Sequence, residues 1–347
     1  MIRSIGTIAL LFGLVFSIPI AAAEASGSFF GTKEKAYQRV TSKAVCKFCD
    51  LRYEDFSGRN LTNRDLTGAY LFGANFSWSD MSHSTFVSAI LHFARLEWAN
   101  FDGVNFSKAY IEDASMFRGS FRKASFRMAV LSRSNLSRSD LSDTDFLTAV
   151  LEGADLTEAR LTGANMRHVN MSGATLAGAR LRDADLQGAT LRRANFQGAD
   201  MYSANLSGAL INQGNFANTY LVRVNFRKSQ LREADFRGAI LDAVNLEGAD
   251  LIKADFTGAT LKNVILQDAR LCRAKMPDGS VGVCTAAEEL EFAEPAAAAA
   301  GPVEETPAEE APADAAPPAA PGVAPSGLKL PPLPVAPGIQ RAKEVKV

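Results

Sequence analysis

Histidine and cysteine are scarce in this sequence, at three and four residues in 347. So few nitrogen and sulfur donors leave little material for a metal centre or a redox relay. His83, His92 and His168 have no cysteine or carboxylate at ligand spacing and read as surface residues, so no cofactor or metal is expected. Net charge is nearly absent too, at −1, which argues against a general binder of polyanions or polycations. After the first twenty-odd residues no apolar run is long enough to cross a bilayer.

The opening run, "MIRSIGTIALLFGLVFSIPIAAA", has one basic residue, an apolar stretch from Ile5 to Ile20, and then small residues. It reads as a secretory signal peptide cleaved after Ala23. The alternative is an uncleaved anchor, the only membrane contact expected, which the short run and Pro19 disfavour. Export places the cysteines where they can pair.

What the chain has in quantity is a five-residue repeat. Every fifth residue from Leu51 to Met276 is Leu, Phe, Met or Ile, at 46 successive positions without an insertion. Two residues earlier, from Ala69 to Ala274, only Ala, Ser, Gly, Thr or Val occurs. A period of five matches neither the 3.6 of a helix nor the 2 of a strand. It requires a chain that turns a corner every five residues, with the large and small residues inward and the other three outward. Fourteen glycines, Gly153 and Gly198 among them, stand two residues after the large position. There the third residue of a type II turn takes positive φ. Asp155, Asn195 and Asp235 illustrate the polar, turn-favouring choice just before the large residue.

With "GADL" at 153–156 and 248–251 and "GANM" at 163–166, the chain resembles the pentapeptide-repeat family over residues 46–276. The resemblance implies an all-β fold, a right-handed quadrilateral parallel β-helix with four pentapeptides per coil. The phenylalanines support an even-sided coil independently. Eleven of the thirteen at the large position keep to alternate sides, and only Phe101 and Phe121 break the rule. At about 4.8 Å per layer, some 11 coils make a rod of roughly 55 Å, stabilised mainly by contacts between neighbouring layers.

The expected organisation is a signal peptide at 1–23, an N-terminal cap at 24–45, the β-helix at 46–276, a C-terminal cap at 277–294 and a tail at 295–347. Phe30, Tyr37, Val40 and Ala44 recur at near-helical spacing in the first cap. The second opens on Pro277 and the turn pair Asp278–Gly279, and Thr285 with Glu288 predicts a capping box for a short helix. The Ala/Pro/Glu-rich tail has too little apolar content for a core and is expected to be disordered or extended.

Cys46 falls on the repeat and Cys49 at the small inward position, at the two ends of one turn and within disulfide reach. Cys272, one residue after Leu271, is expected to face outward and to pair with Cys284, stapling the C-terminal end. Paired cysteines at both ends are also what the resemblance implies for exported members.

The family's filled interior implies no catalytic residues and no small-molecule substrate. Some members imitate acidic duplex DNA and bind type II topoisomerases, which gives the alternative reading. Residues 51–276 carry 27 Lys and Arg against 24 Asp and Glu, mildly basic where a mimic needs strong acidity. The interrupted basic clusters read as solvated surface, and no nucleic acid is expected. Tyr70, Phe72, Trp78, Phe93, Trp98 and Tyr110 have no place in the lattice interior and suit a protein contact patch. The expectation is an exported, periplasmic or secreted, non-catalytic scaffold with a protein partner. A further alternative is a structural rod of the envelope.

Overall fold

The computed structural model describes residues 38, 40, 41 and 44–292. The chain divides into two compact units, Met1–Ala293 and Glu294–Val347, and the second lies outside the described residues. So do the signal peptide, Phe30, Tyr37 and the tail. Of the N-terminal cap, Gln38, Val40 and Thr41 are helical, and Val40 is buried.

From Val45 onward the backbone is a right-handed parallel β-helix with a strict 20-residue coil. Residues bridge to those 20 positions later, as in Tyr70 to Ile90 and Asn75 to Arg95. Up to the last coil the large residue donates its N–H to the layer that follows, for example Leu71 to Ile90 O at 2.7 Å. The residue before it donates to the layer that precedes, for example Tyr70 to Cys49 O at 2.9 Å. No proline occurs between Pro19 and Pro277, so this ladder loses no donor.

Within a coil every side is three residues long, small-outward-large, and every corner two. The corner closes on a turn bond such as Ala74 N–H to Leu71 O, 3.0 Å. Its second residue is always left-handed: 32 non-glycine and 14 glycine residues from Phe48 to Arg273 have φ of 52–69°. Glycine at Gly198 is conformationally apt, because φ is +66° and an added Cβ meets nothing within 4 Å. Gly198→Ala should therefore cost about 1 kcal/mol in strain alone. Ala243→Gly, at φ 55°, should shift the urea midpoint the opposite way by a smaller amount, since glycine's freedom in the unfolded chain offsets part of the gain. Equal signs for the two would contradict the corner geometry.

The outward Asp or Asn of a side caps the next corner. Asp155 accepts the Thr157 N–H at 2.9 Å and Asn245 the Glu247 N–H at 2.9 Å. This bond is the reason for the Asp/Asn preference at that position. Inside, large residues stack in columns. Phe86, Phe106, Phe126 and Phe146 form one continuous pile with centroids 5.0, 5.0 and 4.9 Å apart. Phe196, Phe216, Phe236 and Phe256 form another. Phe101 and Phe121, the two exceptions in sequence, stack on each other at 5.3 Å.

Three corners depart from the rule. Strands β1 (Tyr220–Val222), β2 (Ile240–Asp242) and β3 (Thr260–Lys262) form a parallel sheet whose chains leave on a bend, not a hydrogen-bonded turn. Val224, Val244 and Val264 occupy the small inward position beside them, one above another. Their β-branched bulk in three successive layers holds the corner open, whereas isolated Val104 and Val169 leave their turn bonds in place at 3.2 Å.

The ends differ from the middle. In the first coil the small inward positions hold Cys49, Glu54, Arg59 and Arg64 where later coils hold alanine-sized residues. Among the described residues no earlier coil lies against them, which leaves room for long charged side chains. Cys46 and Cys49 are bonded across the first turn, with Cα atoms 5.5 Å apart. At the other end the chain folds back, so that Val281 bridges Lys275 antiparallel, in the place a further rung would take. Cys284 is bonded to Cys272, Cα atoms 4.3 Å apart. Cys272 does not face outward as expected; it is fully buried, because the returning segment covers its corner. Helix α1 (Ala286–Phe292) follows. Glu288 N–H donates to Thr285 Oγ1 and Thr285 N–H to Glu288 Oε2, a reciprocal cap. Arg270 ties Glu288 (2.9 Å) to Asp250 (3.2 Å), linking the helix to the last coils.

Candidate functional site

The four sides are numbered here by their outward columns: first 50, 70, 90; second 55, 75, 95; third 60, 80, 100; fourth 65, 85, 105. Corners take the number of the side they follow. Outward aromatics concentrate in the first layers, in two groups.

One group stands on the second corner. Trp78 and Trp98 stack face to face, centroids 5.0 Å apart and planes within 3°. Phe117 meets Trp98 edge-on at 5.9 Å, and the Arg118 guanidinium lies over Trp98 at 4.7 Å. Trp78 is 64% exposed and Trp98 40%. Their backbones take the left-handed corner conformation, φ 63° and 60°, at the position where glycine is favoured. A large aromatic there gains nothing from the fold's interior. The stacked rings and the cation present one rigid amphipathic ridge of the sort protein interfaces use as an anchor.

The other group covers the first side and its corners. Tyr70 and Tyr110 are outward on the side itself, and Phe72 packs between Tyr53 (5.4 Å) and Phe93 (5.3 Å) on the first corner. Phe48 lies over Gly68, where any Cβ would collide with its ring. The six aromatics expected to form one patch thus divide into Trp78 with Trp98, and Tyr70, Phe72, Phe93 and Tyr110. The polar second-side column of Asn75, Arg95 and Ser115 runs between them. Phe117, Arg118, Tyr53 and Phe48 belong to these groups and escaped the sequence reading, as did Ile90, Val130 and Val150, which continue the column of Tyr70 and Tyr110.

Six arginines of the basic clusters are paired with carboxylates of a neighbouring layer. Arg122 pairs with Asp102, Arg127 with Asp145, Arg133 with Asp113 and Arg138 with Glu158. Arg227 pairs with Glu247 and Arg232 with Asp250. Partners are 18 or 20 residues apart, one layer away. Exposed pairs of this kind add little stability; they compensate these six arginines locally. A hydrogen bond from Arg133 holds Asp113 below the usual carboxylate range. Asp235 is lowered in the same way by Arg237, and Asp278 by Ser280. All favour the charged form, the opposite of what a general acid near neutrality needs.

His92 has a carboxylate neighbour after all. Its Nδ1 lies 3.4 Å from Glu112 in the next layer, a proximity hidden by twenty residues of sequence. Among the described residues no three His, Cys, Asp or Glu side chains converge on one point, and no helix is long and apolar enough to cross a membrane. A shallow depression of about 550 Å³ lined by Ser172, Arg192, Arg193 and Gln213 opens to solvent and brings no acid–base pair together.

The sequence model for pentapeptide repeats matches in eight copies that together span residues 49–276, the first at 49–86 and the last at 239–276. Among solved structures, similarity is found to HetL, a pentapeptide repeat protein involved in heterocyst differentiation regulation from the cyanobacterium Nostoc sp. strain PCC 7120. That match is 27% identical, covers 72% of this chain and 98% of HetL, and has a TM-score of 0.38. QnrB1 in a trypsin-treated form, a plasmid-mediated fluoroquinolone resistance protein, matches at 14% identity over 63% of this chain and 90% of its own, TM-score 0.34. Rfr23 from the cyanobacterium Cyanothece 51142 matches at 22% identity over 45% and 92%, TM-score 0.22. No curated protein matches.

Proposed function

Because the chain belongs to the pentapeptide-repeat family, we propose that it is an exported, non-catalytic, rod-like scaffold that works by protein–protein contact in the cell envelope or outside it. The observation that carries this reading is the exposed Trp78–Trp98 stack with Phe117 and Arg118. Aromatic residues and arginine are the side chains most enriched at binding hot spots. The interior supports the non-catalytic part. Each layer among the described residues is filled by its own large and small side chains, not by the enclosed, water-excluding volume that catalysis uses.

Export is supported by residues 1–23 and by the bonded cysteine pairs, which suit an oxidising compartment. The rival reading, an acidic imitation of duplex DNA, has against it the mildly basic balance of 27 to 24 over residues 51–276.

Two measurements test the proposal. Fractionation should find mature chain lacking residues 1–23 outside the cytoplasm; full-length cytoplasmic protein sinks the export reading. Trp78→Ser with Trp98→Ser should reduce capture of a protein partner from envelope fractions by at least about tenfold, with circular dichroism unchanged. Undiminished capture by the double variant removes the corner from the binding surface.

A further inference from the structure

The first side is unlike the other three in a way the fold does not require. On the second, third and fourth sides the outward column is mostly Asp, Asn, Ser, Thr or Arg, and its Asp and Asn cap the next corner. On the first side Asp50 and Asn170 do the same, the latter accepting the Ser172 N–H at 3.2 Å. Between them five successive rungs hold Tyr70, Ile90, Tyr110, Val130 and Val150, in unbroken parallel register. Those five corners forgo the capping bond, and the side chains stay partly exposed on a ladder about 19 Å long from Tyr70 to Val150.

The flanks of this ladder carry a second pattern. Tyr110 is outward while Ala109 and Ile111 point into the core, and Lys108 on the fourth corner and Glu112 on the first corner flank it. Lys108 is exposed and makes no ion pair among the described residues. Glu112 stands on the opposite flank of the same rung, with His92 at 3.4 Å and Arg133 at 3.9 Å in the layers beside it. Two rungs on, Thr148 and Glu152 flank Val150, the Thr148 hydroxyl donating to Leu147 O at 2.7 Å and Glu152 accepting from Asn170 Nδ2 within the same rod.

We propose that the first side is a self-association surface on which a second copy of this chain packs with its rod parallel, about a two-fold axis running along the rods. That rotation exchanges the flanks and keeps each rung level. Lys108 of one copy then meets Glu112 of the other, twice, while the apolar columns close on each other. An antiparallel pairing centred on Tyr110 would set Lys108 against Lys108 and Glu112 against Glu112. An anionic bilayer would face the Glu112 and Glu152 rim, so a lipid surface fits less well.

The surface is distinct from the Trp78–Trp98 corner, and its test separates the two. Light scattering and sedimentation of the full mature chain should give a dimer in the micromolar range. Tyr110→Asp should yield a monomer with unchanged circular dichroism and melting. Lys108→Glu should weaken the dimer at least about tenfold, and Lys108→Glu with Glu112→Lys should restore it. Trp78→Ser with Trp98→Ser should leave it intact. A monomer throughout that range, a dimer indifferent to Tyr110→Asp, or a Lys108→Glu variant that associates more tightly would each overturn the proposal. So would a monomer that sediments with phosphatidylcholine–phosphatidylglycerol vesicles and loses them on Tyr110→Asp.

Discussion

Phe106→Ala is expected to destabilise the rod by about 3–5 kcal/mol, the range for deleting a fully buried phenylalanine from a core that cannot collapse around the gap. Collapse is prevented by the ladder. Phe106 N–H donates to Ser125 O at 2.7 Å, and the layers on either side are fixed at the same spacing. The ring stacks on Phe86 and Phe126 at 5.0 Å each and touches Phe101 at 5.5 Å. Its loss strands rings above and below. Because coils contact only their neighbours, the effect should be local in space. Hydrogen exchange should show faster opening around residues 86–126 while residues 196–256 keep their protection. A uniform loss of protection along the rod would mean that the coils unfold as one cooperative block.

Cys272→Ala together with Cys284→Ser should cost about 3 kcal/mol at the C-terminal end, from closure of a loop 12 residues long. The larger consequence is exposure. The segment that Cys284 holds supplies the antiparallel rung at Val281 and the cap that Glu288 makes with Arg270. Without it the last parallel rung becomes an open edge above the half-buried Leu261, Leu266, Leu271 and Met276. Open edges recruit other chains. The double variant should show accelerated exchange over residues 261–284 and a concentration-dependent rise in light scattering on warming. A variant that melts and scatters like the parent would show that α1 and the Arg270 pair hold the end unaided. The Cys46–Cys49 bond closes a turn that the fold already makes, so its removal should matter less.

The fold was legible because one rule repeats at 46 positions, and each repeat constrains the same inward geometry. What stayed hidden needed the third dimension. Tyr70 and Tyr110 were visible as aromatics out of place, but Ile90, Val130 and Val150 are unremarkable until read in steps of 20. The contact between His92 and Glu112 has the same spacing. Cys272 is buried where the repeat predicts exposure, because its surroundings depend on a segment beyond the repeat, where the five-residue rule no longer applies. The open corners at Val222, Asp242 and Lys262 arise from three stacked valines, each of which alone is harmless. The grouping of Trp98 with Phe117 and Arg118 depends on corner geometry, since 97–98 and 117–118 share an edge of the rod.

The two periods, five for the core and twenty for the faces, set which edits of the chain the rod can absorb. Insertion or deletion of one residue would exchange inward and outward positions for every layer beyond it. A change of five keeps the core in phase but turns all later columns by a quarter, like a screw dislocation in a crystal. The apolar column of the first side would then be cut and continued on its neighbour. Only a change of twenty lengthens or shortens the rod with every face intact. Its length can therefore vary by whole coils of about 4.8 Å without disturbing the surfaces by which it is recognised.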